Sequence, residues 1–188
     1  MVNAERILLT LDRHLDHEVR LILYGRAAIA LGFPSPPDET LQSMDVDTII
    51  PGSQERLVDE DMQFWDARDA TNAELKKDGL YITHLFMDYQ VFLRRQWEKE
   101  IVAITRPPMR WLRLFRPATL DFILTKMMRG NDEQDMADIA FMIRRDGITV
   151  GQIESAFADA VIPEMQELRD AFERAKPAVL ALARGEGR

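Results

Sequence analysis

The sequence predicts an α+β fold: a mixed β-sheet flanked by helices, followed by a helical C-terminal region. Three observations predict it. Short β-rich runs and helical stretches alternate up to residue 116. The connections between them carry glycine and proline at the places where chains turn. From Pro117 onward the apolar spacing is helical only. The expected organisation is therefore an α/β core over residues 1–116 and a helical region over 117–188.

The elements follow in order. Residues 3–18 predict an amphipathic helix, because Ile7, Leu8, Leu11 and Leu15 recur at helical spacing. "RLILYG" (20–25) is a β-rich run ending in glycine, and "RAAIALGF" (26–33) is a short Ala-rich helix closed by Gly32. "PSPPDE" is a loop, since its prolines cannot continue a helix. "MDVDTIIP" is a strand bounded by Pro51. Residues 53–69 predict a polar helix with Ser53 as its cap. "TNAE" at 71–74 has capping-box spacing, with Gly79 as the stop. Strands are expected at 80–86, 89–93 and 101–105. Helices are expected at 117–129, with Pro117 in the first turn and Gly130 at the end, and at 131–145, 149–160 and 163–184.

Composition narrows the function. A chain of 188 residues buries enough surface to fold without disulfides or a structural metal. It has no cysteine, which excludes disulfides, thiolate metal sites and cysteine nucleophiles and fits a reducing cytoplasm. The N-terminal apolar run is broken by charges, unlike a signal peptide, and no apolar run approaches the ~20 residues of a membrane span. A net charge of −8 argues against wholesale binding to a nucleic-acid backbone. The charge is uneven, however. Residues 94–116 hold seven bases, two acids, Trp97 and Trp111. That segment reads either as a nucleic-acid grip with stacking tryptophans or as a solvated β-surface with core tryptophans.

Asp45 and Asp47 carry the first chemical signal. Alternate side chains of a strand share a face, so Asp45, Asp47 and Ile49 point one way. Two carboxylates so close disfavour each other's ionisation unless a cation sits between them. Mg²⁺ suits such a pair, with water and substrate phosphates completing its shell. The plain alternative is a pair of acids facing water. An EF-hand is excluded, because Ile49 and Ile50 fill the loop positions that need an acid or amide and then glycine. One element earlier, Gly25 ends a strand and opens a helix. Glycine there allows close approach of a ligand, the helix N-terminus suits phosphate, and Arg26 can add a charge-assisted bond.

A strand ending at Gly25-Arg26, a helix, and Asp45-Val46-Asp47 on the next strand resemble the nucleotidyltransferase superfamily. Arg26 stands where that family has a small residue. "DFILTKMMRGNDEQDMADIAFMI" resembles the helical segment of small bacterial nucleotidyltransferase-like proteins, including abortive-infection and toxin–antitoxin toxins, and "GLYITHLF" with "LRRQWEKEIV" resembles their middle. The likeness spans roughly residues 20 to 145. It implies a nucleotidyltransferase-like sheet and Mg²⁺-dependent transfer of a nucleotide from an NTP to a protein or RNA acceptor. It also implies a cytoplasmic protein with a cognate antitoxin as partner. Asp45 and Asp47 are the implied metal ligands. Gly25, Arg26, Lys126 and Arg129 are the implied nucleotide-binding residues, Asp45, Asp47, Lys126 and Asp138 are the implied catalytic residues, and Asp135 completes the motif. The alternative is a nucleotidyltransferase fold that binds or regulates without chemistry.

Read without the resemblance, Phe122, Lys126 and Arg129 share a helical face. Asp138 lies beside Phe141 and Met142, so it needs a partner, and Lys126 and Arg129 are the candidates. An ion-pair staple between two helices and a catalytic group both satisfy this pattern. The family's third strand carboxylate has no counterpart in "LYITHLFMD". His84 and Asp88 are the candidates for its place, with a packed histidine as the plain alternative.

Overall fold

A computed structural model describes residues 1–186, with the side chain of His84 outside the described set. In chain order the elements are α1 (Asn3–His14), β1 (Val19–Tyr24), α2 (Gly25–Gly32), α3 (Asp38–Leu41), β2 (Asp45–Ile50), α4 (Glu55–Asp59), α5 (Met62–Leu75) and β3 (Tyr81–Met87). There follow β4 (Leu93–Arg94), β5 (Val102–Ile104), β6 (Leu112–Arg116), α6 (Thr119–Lys126), α7 (Glu133–Asp146), α8 (Val150–Asp159), β7 (Ala160–Val161) and α9 (Gln166–Arg184). The fold is α+β, a mixed sheet flanked by helices with a helical C-terminal part. No described helix is long and apolar enough to cross a membrane.

The chain forms two compact units. The first comprises Met1–Met87 and Ile101–Arg116. The second comprises Asp88–Glu100 and the chain from Pro117 onward, so residues 88–100 cluster with the helical region and not with the core expected over 1–116.

In the first unit the sheet order is β3-β2-β1-β6-β5. β1 runs antiparallel to β2 and parallel to β6, β2 runs parallel to β3, and β5 is antiparallel to β6. β6 was not among the expected strands, yet it lies inside the sheet. Leu112 and Leu114 are buried while Arg113 is exposed, an alternation hidden in the basic segment. α1 buries Ile7, Leu8 and Leu11 and packs on α5. It ends at His14, four residues earlier than expected, because the chain turns extended at Leu15. Its buried Asp12 accepts the backbone N–H groups of Arg110, Trp111 and Leu112 at 2.9, 2.7 and 2.8 Å. That carboxylate pins the start of β6 to α1.

The polar helix expected at 53–69 is instead α4 and α5. Asp61 caps α5 by accepting the Phe64 N–H at 3.0 Å. No helix starts at "TNAE". The Thr71 hydroxyl donates to the Ala67 carbonyl within α5. Asn72 accepts the Ile82 N–H at 2.8 Å and donates to the Ile82 carbonyl at 3.1 Å. One side chain thus covers the outer edge of β3 where a neighbouring strand would pair. The strand expected at 89–93 shrinks to β4.

In the second unit, β4 pairs antiparallel with β7, and α6, α7, α8 and α9 pack against one another. Pro117 precedes α6, whose N-cap is Ala118. Asp121 is fully buried and accepts from the Arg94 backbone and guanidinium. This pairing holds the Arg94 guanidinium above its usual range.

Candidate functional site

β2 has two characters along one face. At its far end Ile49 is buried and pairs with Ile22 and Phe86. At its start Asp45 and Asp47 are half-buried. Because β1 is antiparallel to β2, Asp47 pairs with Tyr24, at the end of β1 where the chain enters α2. Tyr24 packs edge-on against Phe86 with ring centroids 5.4 Å apart, which closes the apolar side of the site.

Gly25 sits at that entry with φ +70. A β-carbon added there would lie 3.2 Å from Asp47 Oδ2. The turn therefore needs glycine twice, for its left-handed backbone and for its closeness to the carboxylate. The α2 N-cap, Tyr24, makes no side-chain capping bond, and the first turn of α2 carries no acid of its own. Asp47 thus places negative charge beside the positive end of α2. Arg26 is half-buried on the first turn of that helix.

Each carboxylate also meets a hydroxyl that the sequence reading missed. The Ser43 Oγ donates to Asp45 Oδ1 at 3.0 Å. The Thr83 Oγ1 donates to Asp47 Oδ1 at 2.6 Å. Ser43 stands two residues before Asp45, but nothing local in the sequence links Thr83 to Asp47. Among the described residues no group of three or more acids or histidines is arranged to hold a metal. β3 ends at Met87, and Asp88 opens a 3₁₀ turn in the second unit, so Asp88 does not extend the strand. His84 lies within β3, with its side chain outside the described residues. A cavity of about 200 Å³ in the first unit is lined by Ile22, Ile49, Leu57, Phe64 and Leu85 and does not include Gly25, Asp45 or Asp47.

Lys126, Arg129, Asp135 and Asp138 come together within the second unit. Lys126 on α6 donates from Nζ to Asp138 Oδ2 at 2.7 Å and to Asp135 Oδ1 at 3.2 Å, both on α7. All three residues are more than nine-tenths buried. Arg129 reaches Asp135 from Nε at 2.7 Å and Asp132 from its terminal nitrogen at 2.9 Å. The Asp135 carboxylate holds the Arg129 guanidinium above its ordinary value. Asp132 also caps α7 through the Asp135 N–H. Two cations thus meet three carboxylates, and both helices are tied by the exchange.

The basic segment 94–116 divides between the two units. Arg94 is taken by Asp121 and Glu100 in the second. In the first, Arg116 is buried. Its guanidinium lies 3.9 Å over the Phe33 ring and donates to the Gly32 carbonyl at 3.1 Å. A β-carbon on Gly32 would stand 2.6 Å from the Arg116 side chain. Trp97 is core, and Arg110 stacks on Trp111 at 4.6 Å. Arg94 and Arg116 are thus drawn into the fold, while the segment's other five bases are exposed. No family model, curated protein or solved structure matches the chain.

Proposed function

We propose that the first unit is the catalytic part of a Mg²⁺-dependent nucleotidyltransferase that moves a nucleotide from an NTP to a hydroxyl. The observation that carries this reading is the glycine turn at Gly25, packed 3.2 Å (to an added β-carbon) from Asp47 Oδ2 at the mouth of α2. A phosphate approaching the α2 N-terminus and a carboxylate pair suited to its counter-cation would occupy the same corner of the sheet. Asp45 and Asp47 fit a hard divalent cation: both are oxygen donors, on one strand face, and both are half-buried. Such a cation, when bound, neutralises phosphate charge during in-line displacement.

The roles of the chain's own residues follow. Gly25 and the first N–H groups of α2 receive phosphate oxygens, and Arg26 adds a charge-assisted bond. The acceptor oxygen attacks the α-phosphorus, the α–β bridging bond breaks, and pyrophosphate leaves while the hydroxyl proton passes to solvent. A protein or RNA hydroxyl as acceptor, and a cognate antitoxin as partner, follow from the sequence resemblance alone. Lys126 and Asp138 serve as an ion-pair staple of the second unit in this reading, because two buried carboxylates already neutralise the ammonium.

The lack of an acid on β3 favours a second reading, a nucleotide-binding or regulatory protein without turnover. One experiment separates the two. The protein is incubated with α-labelled NTPs and Mg²⁺ beside Asp45→Asn and Asp47→Asn. Transfer by the wild type and its loss in both variants supports the enzyme. Calorimetric binding of NTP with Mg²⁺ but no transfer supports the regulatory reading. Transfer that survives both substitutions removes the metal assignment.

A further inference from the structure

The pairing of β2 with β3 is broken at one place. Asp45 pairs with Tyr81 and Val46 with Ile82, but Thr48 pairs with Leu85, Ile49 with Phe86 and Ile50 with Met87. Two residues of β3, Thr83 and His84, therefore stand opposite the single residue Asp47. Such a bulge bends the strand locally and re-aims a side chain, and bulges are enriched beside active sites.

The Thr83 hydroxyl stands at this bulge. It donates to Asp47 Oδ1 at 2.6 Å, and the Val46 carbonyl is a longer second acceptor at 3.5 Å. The shorter distance is that of a charge-assisted O–H···O⁻ bond. Threonine is branched at Cβ, so its donor is stiffly held. On the opposite side, Asp47 Oδ2 lies against the Gly25 turn. One carboxylate oxygen is thus held by a hydroxyl, and the other lies close to the Gly25 turn.

We propose that Thr83 is a positioning residue for the candidate metal site. Its hydroxyl fixes the plane of the Asp47 carboxylate, so that the oxygen beside Gly25 keeps one direction towards a divalent cation and its phosphates. This inference rests on the nucleotidyltransferase reading. It adds that Thr83 on β3 supplies a neutral donor which orients one ligand. Outer groups that orient metal ligands commonly change metal affinity by about 10- to 100-fold when removed.

The test is Mn²⁺ affinity of the intact protein, read by water-proton relaxation enhancement in titrations with Mn²⁺ alone. Wild type is compared with Thr83→Val, Thr83→Ser and Asp47→Asn, with far-UV circular dichroism as the control for folding. The expected result is a loss of about 10- to 100-fold in Thr83→Val, near-complete rescue in Thr83→Ser, and loss in Asp47→Asn. Rescue by serine is the decisive element, since a role in packing the bulge would not return with the hydroxyl alone. Thr83→Ala removes the same donor without adding a methyl group, and it replaces the valine variant if valine disturbs the bulge. Equal Mn²⁺ affinity in wild type and the hydroxyl-free variant, with Asp47→Asn impaired, overturns the role of Thr83 and leaves the metal site standing. Absence of saturable Mn²⁺ binding in the wild type overturns both.

Discussion

Replacing Lys126 with methionine distinguishes a staple from a phosphate ligand. Lys126 is 7 % exposed and bonds Asp138 at 2.7 Å and Asp135 at 3.2 Å. Methionine keeps most of the volume but withdraws the charge from two buried carboxylates. Asp135 retains Arg129 at 2.7 Å, so the loss falls mainly on Asp138, whose bond to the ammonium is the shorter one. Removing one partner of a buried pair costs about 3–5 kcal/mol. Asp138→Asn costs less, about 1–3 kcal/mol, because Lys126 keeps Asp135. The double variant Lys126→Met/Asp138→Asn falls short of the sum by about 1–3 kcal/mol, as expected for residues in one network. Urea unfolding monitored by circular dichroism, with Trp97 fluorescence in a Trp65→Phe/Trp111→Phe background reporting the second unit, reads these values. With a urea slope of about 2 kcal/mol per molar, Lys126→Met shifts that unit's midpoint down by about 1.5–2.5 M. A shift below about 0.5 M, with nucleotide transfer abolished, would refute the staple and return Lys126 to phosphate binding.

Two further outcomes are expected. Asp12→Ala leaves three backbone N–H groups at the start of β6 without their acceptor, costing about 3 kcal/mol in all. At roughly 2–4 °C per kcal/mol for a chain of this size, scanning calorimetry should show a fall of about 6–12 °C, and a fall under about 3 °C would show that the pin is unimportant. His17 bonds Asp16 at 2.8 Å and Asp61 at 2.9 Å, and these carboxylates raise its pKa above the usual value of 6.5. A raised folded-state pKa contributes stability that is fully present below the unfolded value and lost as pH rises through the folded one. With its side chain 43 % exposed, screening limits the contribution to about 0.5 kcal/mol. His17→Gln should therefore melt about 1–2 °C below wild type at acid pH, just under the histidine range, and level with it in alkali. An equal gap at both pH values would exclude the ion pairs as its source.

Features whose cause is local could be read from the sequence. The apolar spacing of Ile7, Leu8 and Leu11 gave α1, and the short run bounded by Pro51 gave β2. Gly79 and Gly130 end their helical segments with positive φ, as expected. What escaped depends on distant partners. Asp61 resembles any surface acid until the chain breaks at Glu60 and needs a cap. Asn72 looks like a residue of a helix start until the edge of β3 is placed beside it. β6 was obscured by its arginines, because Arg116 looks solvated until Phe33 and Gly32 receive it. Lys126 and Asp138 were legible as partners, since two short helices in sequence put them within reach. The depth of their burial was not.

The acid pair shows the same division in sharper form. Asp45 and Asp47 share a strand face, and unrelieved repulsion would favour a cation between them. Ser43 and Thr83 weaken that argument, because each donates a hydrogen bond that stabilises one carboxylate without any metal. Charge repulsion alone therefore does not distinguish a metal site from a pair of well-bonded surface acids. Gly25 adds a second feature at the same place. Its left-handed turn sits where a β-carbon would stand 3.2 Å from Asp47 Oδ2, at the entrance of α2. The turn and the nearby acid account for the glycine by themselves, and in the proposed reading the same place also receives phosphate with its counter-ion. The proposed function therefore rests on Gly25 and the two carboxylates together, and label transfer by Asp45→Asn and Asp47→Asn decides it.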